Sequence, residues 1–270
     1  MPRSLVLSFG ISVFLFTTLA TGQTTDRAAR WRDNCQRDWN NDRARVCEVR
    51  TFTIPNSTRI SVDGGDNGGV AFYGSDQREI KVIARVQASA DDDATARDIA
   101  RQIRVFTDGG QIRSDGPSSR GNHASWSVSY DVYVPTQANL DATTENGGIS
   151  AQDVRGNLTF EATNGGIQVS NIGGNVRART TNGGVVANLS GTTWQGQGLD
   201  LQTTNGSATV YVPRGYNAQL ETGTVNGGMR VDFPITVRGS INRHLSTQLG
   251  SGGPVVRVVT TNGGVHIAER

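Results

Sequence analysis

From Val49 onward, apolar residues recur at every second position in short runs: Phe52 and Ile54, Ile60 and Val62, then Ile80, Val82, Ala84 and Val86. A period of two sends alternate side chains to opposite faces, so each run predicts a half-buried β-strand. The clearest is Trp126, Val128, Tyr130, Val132 and Val134, with Ser125, Ser127, Ser129 and Asp131 among them, and it ends at Pro135, which cannot donate to a ladder. One stretch has a helical period. Ala96, Ile99, Ala100 and Ile103 share one side, and the aspartates at 91–93 ahead of them supply an N-cap and favourable charge for the helix dipole. That acidic triplet lacks the spaced ligands of a calcium loop.

Beyond Pro135 the pattern becomes a repeat. Asn-Gly-Gly stands at Asn146, Asn164, Asn182, Asn226 and Asn262, with Asn205-Gly206-Ser207 as a variant and Asn67-Gly68-Gly69 as an outlying copy. The first two intervals are 18 residues, and the 36 from Asn226 to Asn262 read as two periods with the middle corner lost. Six residues before each asparagine stand Leu140, Leu158, Val176, Leu199, Leu220 and Val256; three after it come Ile149, Ile167, Val185, Ala208, Met229 and Val265. An isolated unit cannot bury such a row, but units stacked ~4.8 Å apart lay each row on the next and make one core. The asparagines then add a ladder of side-chain hydrogen bonds, and Asn-Gly supplies the positive φ of sharp corners. An antiparallel meander with Asn-Gly hairpins is the rival, but it needs no identity of columns. The expected fold is all-β: a β-solenoid of about 18-residue coils over 136–270, preceded by a β-rich part with one short helix over 49–135.

These residues resemble a family: the extracytoplasmic bacterial putative-adhesin proteins of unknown function, built of a repeated β-strand domain. The likeness rests on a strand ending in Val134-Pro135 followed by apolar-alternating repeats punctuated by Asn-Gly, and it covers roughly 49–270. It implies a β-solenoid in the bacterial envelope and brings no catalytic residues with it. The cysteine-bearing segment at 23–48 is outside the general pattern.

The start of the chain predicts export. Arg3 precedes an apolar run over 5–20 and small residues around Ala20 and Gly22, the layout of a signal peptide at 1–22; the run is shorter than the ~20 residues a membrane span needs. No second apolar stretch follows, so no transmembrane segment is expected after cleavage. Cys35 and Cys47 are the only cysteines, and an oxidising compartment would pair them. A periplasmic or secreted location follows.

Composition narrows the chemistry. With 35% hydrophobic and 19% charged residues the chain suits a globular fold, and 34 glycines without a three-residue period exclude collagen. A net charge of +2 without a dense basic block argues against a nucleic-acid partner. His123, His244 and His266 lie in no nucleophile elbow, zinc helix or phosphate loop, so no catalytic residue, metal or cofactor is expected. Charged outward columns, with Arg177 beside Asp200 and Glu161 beside Arg179, read as cross-strand pairs on a wet face. Insertions in a solenoid map to surface loops, which nominates three places. Trp194, in 191–198, either stacks on a sugar or protein partner or folds back over the core edge; Arg214 and Tyr216 lie in 211–216; Arg243 and His244 lie in a degenerate coil at 238–253. The resulting expectation is a non-enzymatic binding or scaffold module whose partner is an envelope protein or polysaccharide. The alternative is a carbohydrate-active β-helix enzyme.

Overall fold

The computed structural model describes residues 28–33, 35, 43–118, 124–234 and 243–270. The leader at 1–22, His123 and residues 238–242 of the degenerate coil lie outside them. In chain order, β1 (Ala44–Ile54) precedes a first coil of β2 (Ile60–Asp63) and β3 (Val70–Ser75). The chain then leaves the stack through β4 (Ile80–Ala90), a helix (Asp93–Gln102), β5 (Arg104–Phe106), β6 (Gln111–Asp115) and β7 (Ser125–Pro135). It returns as coils β8 (Leu140–Thr144) with β9 (Ile149–Gln152), β10 (Arg155–Ala162) with β11 (Ile167–Ser170), β12 (Gly173–Asn182) with β13 (Val185–Asn188), and β14 (Gly198–Asn205) with β15 (Ala208–Val212). Last come β16 (Ala218–Asn226) with β17 (Met229–Val231), β18 (His244–Leu249), and β19 (Val255–Asn262) with β20 (Val265–Glu269).

Among the described residues each coil gives one strand to each of two ten-stranded sheets, a first holding β3, β9, β11, β13, β15, β20 and β17 and a second holding β2, β8, β10, β12, β14, β19 and β16, and neighbouring coils pair in parallel. The repeat columns are the registers of these ladders: Leu140, Leu158, Val176 and Leu199 are successive partners, as are Ile149, Ile167, Val185 and Ala208. Their side chains meet in one core, where Phe72 stacks on Phe160 with ring centroids 5.8 Å apart. The stacked solenoid is therefore the fold, and the hairpin meander is not.

Two features depart from the sequence reading. The outlying Asn67 corner belongs to a full coil, because β2 and β3 pair in parallel with β8 and β9: Val70 faces Ile149 as the repeat requires, and Ile60, one residue further from its corner than the repeat has it, faces Leu140. The 49–135 part is thus that first coil with an insertion from β4 to β7, while β1 begins at Ala44 and runs antiparallel along β4. The second departure is at the other end. The 36-residue interval is not two stacked periods: β19 and β20 insert between the β14–β15 and β16–β17 coils, and β18 runs antiparallel along the outer edge of β16.

The corners explain the Asn-Gly-Gly motif. In stack order Asn146, Asn164, Asn182, Asn205, Asn262 and Asn226 each donate from Nδ2 to Oδ1 of the asparagine before, at 2.8–2.9 Å except for the first, which reaches Asn67 at 3.5 Å. Two residues earlier, Thr144, Thr180, Thr203, Thr260 and Thr224 point inward and donate to the glycine carbonyl of the preceding coil at 2.6–2.8 Å. Positive φ is not the reason for most of these glycines; among the first glycines of the corners only Gly263 has it. Space is. A Cβ on Gly147, Gly165, Gly183 or Gly206 would fall 1.9–2.3 Å from a carbonyl oxygen of the coil before.

The helix forms as its pattern predicts. Asp92 caps it by accepting from the Thr95 N–H at 2.9 Å and its hydroxyl at 2.7 Å, which holds the carboxyl below its usual range, and Ala96, Ile99 and Ala100 are buried against β1 and β4. Residues 28–33 are also helical, which the sequence pattern did not predict; Ala28 and Trp31 pack with Ile83 and Tyr133. Cys35 and Cys47 are disulfide-bonded, with Cα atoms 5.5 Å apart. Among the described residues no helix is long and apolar enough to cross a membrane.

Candidate functional site

Inward positions on the second sheet are spent on the core, which leaves its outward columns to meet other molecules. Three residues before each corner asparagine stand Thr143, Glu161, Arg179, Gln202, Val259 and Gly223; one before it stand Glu145, Thr163, Thr181, Thr204, Thr261 and Val225. These two columns line a groove of about 1370 Å³ whose residues come from β2, β8, β10, β12, β14, β19, β16 and the start of β18. Eight strands at ~4.8 Å spacing make it about 34 Å long, running across the strands.

Its charge is divided. Asp63, Asp66, Glu145 and Glu161 line the end formed by the early coils, and Arg179, Arg257, Arg243 and His244 line the other. The groups are held in place locally. Asp63 accepts from the Gly65 N–H at 2.8 Å, while Arg257 and Gln202 both donate to the Asp200 carboxylate, at 2.7 and 2.8 Å. Asp200 is in register with Arg177 on one side and with Arg257 of the inserted coil on the other, and it is Arg257 that it engages. His244 lies over Gly223, where the column has no side chain: a Cβ there would be 3.1 Å from the imidazole Nδ1. Between the charged ends runs a row of exposed threonines, Thr163, Thr181, Thr204 and Thr261. The columns offer hydrogen-bonding side chains from the β8 coil to the β19 coil, and at the β16 coil, where they hold Gly223 and Val225, His244 and Arg243 take that place. Among the described residues no group of His, Cys, Asp and Glu could hold a metal ion.

The five nominated residues part company. Arg243 and His244 line the groove. Trp194 takes the inward of its two roles: it is 4% exposed, packs with the core, and donates from its indole to the Gly174 carbonyl at 3.0 Å, so it has no face to offer a partner. Tyr216 is likewise 3% exposed, and burial pushes its hydroxyl up to about 12. The insertion holding each is folded onto the stack, where the ring gains more from burial than it could from water. Arg214 is exposed and lies 3.6 Å from the Glu269 carboxylate, away from the groove. Sequence reasoning did not find the groove, although its column of Thr143, Glu161, Arg179 and Gln202 is visible there; Glu161 and Arg179 read from the sequence as a cross-strand pair on a wet face.

Residues 54–268, which hold every coil of the stack, match one family model. The chain belongs to the Toastrack DUF4097 family. Among solved structures, this Toastrack chain is similar to a putative cell adhesion protein from Clostridium sporogenes, with a TM-score of 0.47 and 14% identity over 84% of this chain and 100% of that one. A putative adhesin from Bacteroides fragilis gives a TM-score of 0.28 at 11% identity, over 83% of this chain and 97% of that one. A putative lipid binding protein from Parabacteroides distasonis gives 0.27 at 10%, over 83% and 96%. No curated protein matches.

Proposed function

We propose that this Toastrack protein is an exported, non-enzymatic binding or scaffold module of the bacterial envelope, and that the groove on the second sheet is its recognition face. The observation that carries the reading is the groove itself, about 34 Å long, in which two outward columns present charged and hydroxyl groups coil after coil from Thr143 and Glu145 to Thr261. Such a surface suits many weak contacts to one extended partner, each coil adding a little. Export is supported by Arg3 and the apolar run over 5–20, and by the Cys35–Cys47 disulfide, which persists in oxidising compartments.

The test is capture from bacterial envelope extract by the mature chain, wild type beside Arg179→Glu and Arg214→Glu. The reading expects a partner bound by wild type and Arg214→Glu and lost with Arg179→Glu, and it expects the mature chain in the periplasmic or secreted fraction. Equal capture by all three would reject the groove. Release of products from a polysaccharide panel would instead make the protein an enzyme.

A further inference from the structure

We propose that the groove takes a linear β-1,4-linked glycan, laid across the strands with about one sugar per coil; this rests on the groove being the recognition face. Three observations point the same way. The first is repeat length. The groove presents the same two positions every ~4.8 Å, and a β-1,4-linked pyranose chain, an extended ribbon, advances by nearly that distance per sugar. A polypeptide strand advances ~3.4 Å per residue and turns alternate side chains away, so its repeat falls out of step within two coils.

The second is the placement of polar groups. Successive sugars in a β-1,4 chain are flipped, so each edge of the ribbon is met in turn from both sides. The groove meets both sides: planar hydrogen-bonding groups at Glu161, Arg179 and Gln202 in one column, and hydroxyls at Thr163, Thr181 and Thr204 in the other. Threonine also offers a methyl group to the C–H face of the ring. The backbone groups of the strands are already used between coils, so recognition here is by side chains and not by addition of another strand.

The third is charge. Carboxylates at Asp63, Asp66 and Glu145 repel a polyanion at one end, and Arg179 and Arg243 repel a polycation at the other. A chain of hydroxyl-bearing sugars meets neither penalty. It also draws on both signs, because carboxylates accept from sugar hydroxyls and guanidinium groups donate to them.

Calorimetric titration of the mature chain with cello- and chito-oligosaccharides of increasing length tests this, with the α-1,4-linked malto-oligosaccharides as the bent-chain comparison. Affinity is expected to rise at least about tenfold from dimer to hexamer and to level off near seven sugars, the span of eight strands. Arg179→Ala and Gln202→Ala should each weaken hexamer binding by about tenfold, and Arg214→Ala, outside the groove, should leave it unchanged. Circular dichroism shows that each variant is folded. Absence of binding, or equal binding of the β-1,4 and α-1,4 hexamers, overturns the glycan. If envelope capture still depends on Arg179 in that event, the recognition face stands without it; if capture is also indifferent to Arg179, both fall.

Discussion

The two glycines of an Asn-Gly-Gly corner have different jobs, and substituting them one at a time measures the closeness of the coils. In Gly165→Ala the new Cβ would lie 1.9 Å from the Gly147 carbonyl oxygen and 2.5 Å from its carbon, both backbone atoms with no rotamer to change. Relief requires the two coils to part by more than 1 Å at this corner, to approach ordinary contact at 3.4 Å. That strains the Asn164 to Asn146 side-chain amide bond of 2.8 Å and the Asn164 N–H to Glu145 carbonyl bond of 2.6 Å, both of which cross the same boundary. Two hydrogen bonds at ~1 kcal/mol each, with an overpacking cost of ~1–3 kcal/mol, give a loss of about 3–5 kcal/mol. The second glycine is the control. A Cβ on Gly166 meets its nearest atom at 3.2 Å, and Ser207 occupies the equivalent place in the Asn205 corner. Gly166→Ser should therefore cost less than ~1 kcal/mol, within the range of an ordinary surface change. Urea unfolding followed by circular dichroism compares the two midpoints. If Gly165→Ala unfolds at the same urea concentration as Gly166→Ser, the close approach of backbones is not what the motif provides.

Other outcomes follow from the same contacts. Phe160→Ala removes a fully buried ring stacked on Phe72 and should lower stability by about 3–5 kcal/mol, read as a lower urea midpoint. Burial pushes Tyr130 and Tyr216 up to about 12, against ~10 in the unfolded chain. A raised folded value means stability intact below pH ~10 and lost between pH ~10 and ~12, by at most about 3 kcal/mol per group, and Tyr216→Phe should make that alkaline loss shallower. Reducing the Cys35–Cys47 disulfide, which closes a separation of 12 residues, should cost up to ~3 kcal/mol, seen as an earlier urea transition in reductant. Asp92→Ala should remove the helix cap and lower the thermal midpoint, with a loss of ~1 kcal/mol.

The coil stack is legible in the sequence because a register repeats itself: Leu140, Leu158, Val176 and Leu199 need no coordinates to be seen as one column, and the structure pairs them as such. The position of the last coil is not legible. Asn226 carries the same corner as Asn262, so β16 fits the stack equally well directly on β14 or one place further out, and the 36-residue interval happens to equal two periods. Spacing along the chain says nothing of which neighbour is taken. The glycines were visible, but whether glycine answers a φ or a close approach depends on what lies across the coil boundary. For Trp194 the sequence shows an insertion, and only the fold shows that 191–198 turns inward, through Gly191 at φ 72° and Gly196 at φ 133°. In the sequence Arg243 and His244 fall in a degenerate coil; their place at the basic end of the groove comes from β18 lying along β16.

Amide hydrogen exchange with and without the partner recovered from envelope extract tests the recognition face most directly. Protection should rise at the corner ends of the second-sheet strands, around Glu145, Thr163, Thr181, Thr204 and Thr261, once per coil, while segments 192–196 and 211–216 stay as they are. Protection confined to those two segments or to the first sheet, with the threonine row unchanged, would contradict the account.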